Sequence, residues 1–241
     1  MARKKREWYP GAVYHVMSRG NRQMPIFKDD SDYKQFMNYL AFVKEKHPFK
    51  LHAFCLMTNH FHLEIETEND EIWKIMQKLL SLYSCDFNCK YKYVGHVFQG
   101  RYASRLIEDD TYFLEVSRYI HLNPVKAMMV RDPLEYKYSS YRNYMDYERN
   151  RLLVNTEEIE TNRVLNMFKN QGKEGYRMFV EGKISHEEQE LLIRTLVPDP
   201  ITKMLQMDIK IKKLTNTNLG SNIAKMFITM ALYLRKGLHK G

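Results

Sequence analysis

Cysteine is scarce in this sequence, and long apolar runs are missing. Three cysteines, Cys55, Cys85 and Cys89, stand among 241 residues. An odd, sparse set without framework spacing excludes a disulfide scaffold and fits a reducing compartment. Cys85 and Cys89 are four apart in a helical pattern and could share a face. No second Cys or His pair lies nearby to complete the four ligands of a structural zinc. No run approaches the roughly 20 apolar residues a membrane span needs. The start, Met1-Ala-Arg-Lys-Lys-Arg6, has no apolar stretch behind it and does not read as a signal peptide. No internal repeat or low-complexity tract stands out. The expected compartment is the cytoplasm.

What is present is enough apolar material for a packed core, 44% of residues, in a chain long enough for one substantial domain or two small ones. Lys and Arg number 38 against 29 Asp and Glu, giving a formal net charge of +9 and a pI near 9.3. That balance suits a polyanionic partner such as nucleic acid, whose phosphates Lys and Arg neutralise. Charge alone fits a merely basic protein equally well.

The pattern along the chain predicts an ordered set of elements. Residues 11–18 alternate like a strand. Residues 29–46 carry Tyr33, Phe36, Met37, Leu40 and Val43 at helical spacing, with Asp29, Asp30 and Asp32 at the positive end of the helix dipole. Residues 49–56 and 60–66 read as strands joined by Met57-Thr-Asn59, a hairpin. A second helix spans 70–91, residues 96–107 are strand-like, and a third helix opens at Asp109 or Asp110. It should stop near Asn123-Pro124, because the residue before proline avoids helical angles. The order is that of an α+β, ferredoxin-like fold: a four-stranded antiparallel sheet with helices on one face. Many functions use this fold, so function has to come from the site.

Two constellations carry chemistry. His60-Phe61-His62 lies in the third strand, so both imidazoles project from one face while Phe61, Leu63 and Ile65 enter the core. Two imidazoles at this spacing form a bidentate metal site, and Glu64 and Glu66 add negative charge on the same face. The plainer alternative is two surface histidines on an open sheet. The second constellation is Tyr119-Ile-His-Leu-Asn123-Pro124, where Tyr119 and Asn123 lie on one side of the third helix. Ser117, Phe113 and Ile120 point elsewhere, toward the sheet. A phenol is a poor nucleophile at its usual pKa near 10, but becomes competent beside a divalent cation that polarises a phosphate. Two imidazoles and a carboxamide suit Mg²⁺ or Mn²⁺. The plainer alternative is a tyrosine that simply packs.

Five stretches together resemble the REP-associated tyrosine transposases, a bacterial branch of the HUH single-tyrosine transposases. They are Tyr14-His-Val-Met-Ser-Arg-Gly-Asn-Arg22, Leu51-His-Ala-Phe-Cys-Leu-Met-Thr-Asn-His-Phe-His62, Gly95-His-Val-Phe-Gln-Gly-Arg-Tyr102, Ser117-Arg-Tyr-Ile-His-Leu-Asn-Pro-Val-Lys-Ala127 and Tyr138-Ser-Ser-Tyr-Arg142. The resemblance covers residues 1–145 in order. It implies an HUH nuclease domain there and a metal-dependent endonuclease and strand-transferase acting on single-stranded or hairpin DNA. His60, His62 and Asn123 would hold the cation. Tyr119 would attack DNA, forming a 5′-phosphotyrosine and leaving a 3′-hydroxyl. Tyr112, two turns earlier, is the rival nucleophile but lacks an Asn four residues on. Arg19, Asn21, Arg22, Gln99, Arg101, Tyr102, Arg105 and Lys126 are candidate DNA contacts. Tyr91, Tyr93 and Tyr102 interleave with Lys90, Lys92 and Arg101 as stacking platforms for unpaired bases would.

Two positions depart from the family pattern. Thr58 stands where proline is usual, and Met128 where Gly often follows Ala. Residues 146–241 form a separate helical region in this reading, with a linker at 146–155 and a capping box at Ser185 and Glu188. Its end, 221–241, resembles the first helix of a DnaA-like helix-turn-helix, truncated before the recognition helix. Expected partners are DNA, with no membrane, in a monomer or homodimer associated with the nucleoid. The competing readings are a non-catalytic DNA-binding regulator on the same fold and a hydrolase acting through activated water.

Overall fold

Alternation in the first segment produces β1, Val13–Arg19, and the predicted hairpin becomes β2, Phe49–Met57, and β3, His60–Thr67. The computed structural model describes residues 7–145 and 159–182, all inside the unit Met1–Leu192. A short β4, Ala103–Ile107, completes a sheet of order β2-β3-β1-β4. Every neighbouring pair is antiparallel. The sequence therefore gives the α+β, ferredoxin-like sheet its pattern implies.

Between the strands run α1, Asp30–Lys46, and α2, Ile72–Tyr91. Asp29 caps α1: its carboxylate accepts from the Ser31 and Asp32 amides while the Asp32 side chain reaches back, a reciprocal capping box. Lys90 at the end of α2 binds Asp29 and Asp32 at 2.8 and 2.6 Å, and the Tyr91 hydroxyl donates to Asp32 at 2.7 Å. Lys90 and Tyr91 thus tie the two helices together. Their charge and ring are occupied there, which corrects their reading as a platform for bases. Tyr93 likewise packs edge-on to Phe87, 6.1 Å between centroids.

Both faces of the sheet are covered, which corrects the expectation of helices on one face. Phe61, Leu63 and Ile65 meet α1 and α2, with the Phe36 ring 4.9 Å from Phe61. The other face receives α3, Asp110–Lys126, whose Phe113 stacks edge-on to His52 at 5.0 Å. Burial explains this: His15, His62 and Glu64 on that face are all 2% exposed or less, so it needs a cover.

The α3 helix also runs past Asn123, through Pro124 to Lys126. Proline removes one donor, but Asn123 and Pro124 are both buried, and packing outweighs the pre-proline clash. The end is a Schellman motif: the Met128 amide bonds the Val125 carbonyl and the Met129 amide that of Pro124, each at 2.9 Å. Met128 therefore occupies the left-handed position, φ 56°, that favours glycine. Its side chain is 69% exposed and contributes little packing. Met128→Gly should raise stability by about 0.5–1 kcal/mol, read as a higher urea midpoint at unchanged m-value. The strand expected over 96–107 is shorter, because residues 97–99 instead pair loosely with Arg19–Asn21.

Beyond the short α4, Tyr141–Tyr144, the chain returns as α5, Asn162–Asn166, and α6, Gly172–Glu181. Ile159 bridges Leu51 on the outer edge of β2. The Tyr176 hydroxyl bonds Ser117 and His121, so Ser117 faces α6 rather than the sheet. Arg163 bonds Glu66 at 2.7 Å and covers the Phe113 ring. The linker at 146–155, the capping box at Ser185 and the segment 221–241 lie outside the described residues. No described helix is long and apolar enough to cross a membrane.

Candidate functional site

The register of β1 and β3 sets the site. Arg19 lies opposite His60, Met17 opposite His62 and His15 opposite Glu64. Directly opposed residues share a face, so His15, His60, His62 and Arg19 line the side that α3 covers. The Tyr119 ring centroid lies 5.4 Å from that of His62 and 5.8 Å from that of His15. The phenol and the histidine pair therefore meet within one chain. Tyr112 instead lies under the Arg105 guanidinium, which is 5.2 Å from its ring centroid.

Each histidine is oriented by a neighbour. His60 Nδ1 sits 2.7 Å from Asn59 Oδ1, and Asn59 Nδ2 donates to the Gln23 carbonyl at 3.2 Å. The amide donor is thereby committed, Oδ1 must accept, and the hydrogen resides on His60 Nδ1. That leaves a lone pair on Nε2, the arrangement a metal ligand requires. His62 Nδ1 is 3.0 Å from His15 Nε2, with the rings stacked at 5.2 Å. With its hydrogen on Nδ1, His62 also presents Nε2. Burial lowers the pKa of His60 to about 3, with the nearby Arg19 adding to it, and holds His62 well below its ordinary value. Both rings are neutral, as ligation demands.

His15, Asn59 and Gln23 are positions at the candidate site that sequence reasoning missed. The signal for His15 was its place in the same alternation as Met17 and Arg19. Asn59 and Gln23 left none, because their roles depend on a turn closed through space. That turn is tightly built: Arg22 and Gln23 both have positive φ, 50° and 62°. A Cβ on Gly20 would lie 2.2 Å from the Met24 carbonyl oxygen.

Asn123 donates through Nδ2 to the Tyr119 carbonyl at 2.8 Å, leaving Oδ1 as its ligand-capable atom. Tyr119 is 4% exposed. Burial raises its pKa well above 10, and the Asn123 carboxamide opposes that shift. Among the described residues no group of three or more His, Cys, Asp or Glu is disposed to hold a metal ion. A cation here would rest on two imidazoles and a carboxamide, a neutral donor set that fits a small divalent ion only with further oxygen ligands from phosphate or water.

The two glutamates differ from expectation. Glu66 is spent in pairing: His52, Lys50 and Arg163 bond it at 3.0, 2.8 and 2.7 Å, the first of these chiefly lowering its pKa to about 2. Glu64 is fully buried, and neither carboxylate oxygen has a hydrogen-bond partner among the described residues. Burial raises its pKa well above the ordinary value, so it adds no negative charge beside His62.

The candidate DNA contacts divide by position. Arg19 stands beside His60 and donates to Gln23 Oε1 at 3.2 Å. Asn21 and Gln99 border it, their backbone N–H groups donating to the Val97 and Arg19 carbonyls. Arg22, Arg101 and Arg105 are exposed. Arg105 lies opposite His15 on β4, so it shares the site's face. Tyr102 is only 6% exposed; its ring is packed, which corrects its reading as an open stacking platform. Lys126 lies over the Tyr119 ring, its Nζ 4.6 Å from the centroid.

Comparison with known proteins agrees with this fold. Residues 9–123 match the family described as Transposase IS200 like. A candidate REP-associated tyrosine transposase of Haemophilus influenzae is 32% identical over 109 residues, 40% of this chain. The chain spans about three-fifths, 61%, of that relative's length. A solved structure titled as a REP-associated tyrosine transposase bound to a REP hairpin shares the fold, with a TM-score of 0.54 at 18% identity, over 61% of this chain and 86% of that one. Over residues 9–123, this chain is thus similar to the IS200-like transposases.

Proposed function

We propose that this protein is a transposase that cuts and rejoins single-stranded or hairpin repeat DNA through a 5′-phosphotyrosine on Tyr119, with a divalent cation, Mg²⁺ or Mn²⁺, held by His60, His62 and Asn123. The observation that carries this reading is the contact of the Tyr119 ring with His62 inside one chain. The REP hairpin bound in the solved structure of similar fold supports this substrate class.

The bound cation would act as a Lewis acid on the scissile phosphate. Asn59 and His15 hold the two imidazoles with Nε2 presented, and Arg19 supplies positive charge at the strand end beside them. Tyr119 attacks in line and the phosphodiester's 3′-oxygen leaves, taking a proton from water. The phosphotyrosine retains the ester bond, so rejoining to a 3′-hydroxyl needs no nucleotide. One chain carries every part, so the site serves a monomer and a homodimer alike. Such an enzyme works in the cytoplasm where the nucleoid DNA is.

The burial of Tyr119 is the one observation that favours a non-catalytic DNA-binding regulator. A repeat hairpin labelled at its 3′ end decides between them. With Mn²⁺ the label should become attached to the protein and survive denaturant, and EDTA should prevent it. The same hairpin labelled at its 5′ end should release a free fragment ending in a 3′-hydroxyl. Cleavage without attachment would indicate hydrolysis by water, and binding alone would indicate a regulator.

A further inference from the structure

A lysine ordinarily buries its alkyl stem and keeps its ammonium in water. Lys126 does the reverse. The residue as a whole is half-buried, yet its Nζ is shut off from solvent and has no hydrogen-bond partner among the described residues. The ammonium lies over the Tyr119 ring, 4.6 Å from the centroid, and close enough to His62 to disfavour a charge there. An ion in that position, with three unused donors, is costly to the fold unless an anion arrives. The position is also specific: Lys126 is the last residue of α3, two turns beyond Tyr119, and the Schellman end of the helix fixes where its stem departs.

We propose that Lys126 is a catalytic residue, its ammonium bonding a non-bridging oxygen of the scissile phosphate beside Tyr119. It balances the negative charge that gathers on that phosphate during attack. This rests on the single-tyrosine reading above and deepens it. In the step, the Tyr119 oxygen forms a bond to phosphorus and the bond from phosphorus to the 3′-oxygen breaks. The phenolic proton goes to water, the leaving oxygen takes one from water, and Lys126 remains an ammonium throughout. A fixed cation aimed where charge develops acts on the rate more than on ground-state affinity.

The test uses the full chain with a 3′-labelled repeat hairpin and Mn²⁺. For Lys126→Met, the rate of covalent attachment should fall about 100-fold or more, the scale on which a preorganised charge acts. Hairpin affinity in EDTA and Mn²⁺ affinity without DNA should stay within a few-fold of the unaltered protein. The melting temperature should not fall, because an unpaired buried ion has been removed. Lys126→Arg, keeping charge in another shape, should react at a rate between the two. Attachment by Lys126→Met at the unaltered rate would overturn the proposal, as would a loss of hairpin affinity that matches the loss of rate. A lowered melting temperature would make the role structural and overturn it too, as would an Arg variant no faster than the Met variant. If the unaltered protein forms no attachment at all, the single-tyrosine reading itself fails, a result distinct from each of these.

Discussion

Tyr119→Phe should abolish covalent attachment to repeat DNA, by at least ~10³-fold, the scale set by losing a nucleophile that no neighbour can replace. Tyr119 meets the rings of His15 and His62, whereas Tyr112 lies under Arg105. The substitution removes one oxygen and leaves the ring in place, so the packing against both imidazoles and the Lys126 contact persist. Hairpin affinity should therefore stay nearly constant while the attached product vanishes. Denaturing gels measure the one and fluorescence anisotropy the other. Full attachment by the Phe variant would remove Tyr119 from the mechanism, and transfer of the adduct to Tyr112 would show up in peptide mapping.

Acid should unfold this protein early. His60 and His121 have pKa values pushed down to about 3 by burial, and His62 is lowered well below its ordinary value by the same cause. His121 shows how the neutral form is held. Its Nε2 meets Ser140 Oγ and its Nδ1 meets the Tyr176 hydroxyl, both at 2.7 Å, one bond given and one received. In the unfolded chain each histidine titrates near 6.5. Between that value and about 3, the unfolded state binds more protons, so stability falls as pH falls. At pH 5 His60 and His121 each cost about 2 kcal/mol, so the two approach ~4 kcal/mol, a large part of a typical domain's stability, and His62 acts in the same direction.

Glu64 opposes this. Its folded pKa is raised, so its penalty grows as pH rises from its unfolded value near 4.3 and is relieved on acidification. Glu64→Gln should accordingly stabilise the protein at pH 7 by about 1–3 kcal/mol and steepen the loss toward pH 5. Urea melts in EDTA at pH 7, 6 and 5 give both slopes. A stability that stays level from pH 7 to 5 would contradict neutral, buried histidines. Metal must be absent, because a bound cation would hold His60 and His62 neutral and deepen the acid effect.

The pairing at the sheet's centre was readable because strand alternation is local. Phe61, Leu63 and Ile65 could only face inward if His60 and His62 faced the other way. The spacing of Tyr119 and Asn123 was readable for the same reason, since helical neighbours follow from the count of residues. The end of α3 was misread because the proline rule is local, whereas the burial of Asn123 and Pro124 is not. Glu64 was misread because composition assigns a glutamate its charge, and only enclosure between sheet and α3 takes it away.

The sequence by itself determined the order of strands and helices, the faces of each, and the residue types that could hold a cation and attack a phosphate. Local periodicity and side-chain chemistry suffice for that. Tertiary structure alone decided that Tyr119 meets His62 in the same chain, that His15 and Asn59 orient the imidazoles, and that Lys126 turns its charge inward. The His15–His62 and Tyr119–His62 contacts join residues 47 and 57 positions apart, and their formation depends on sheet register and helix docking, which no short window of sequence encodes.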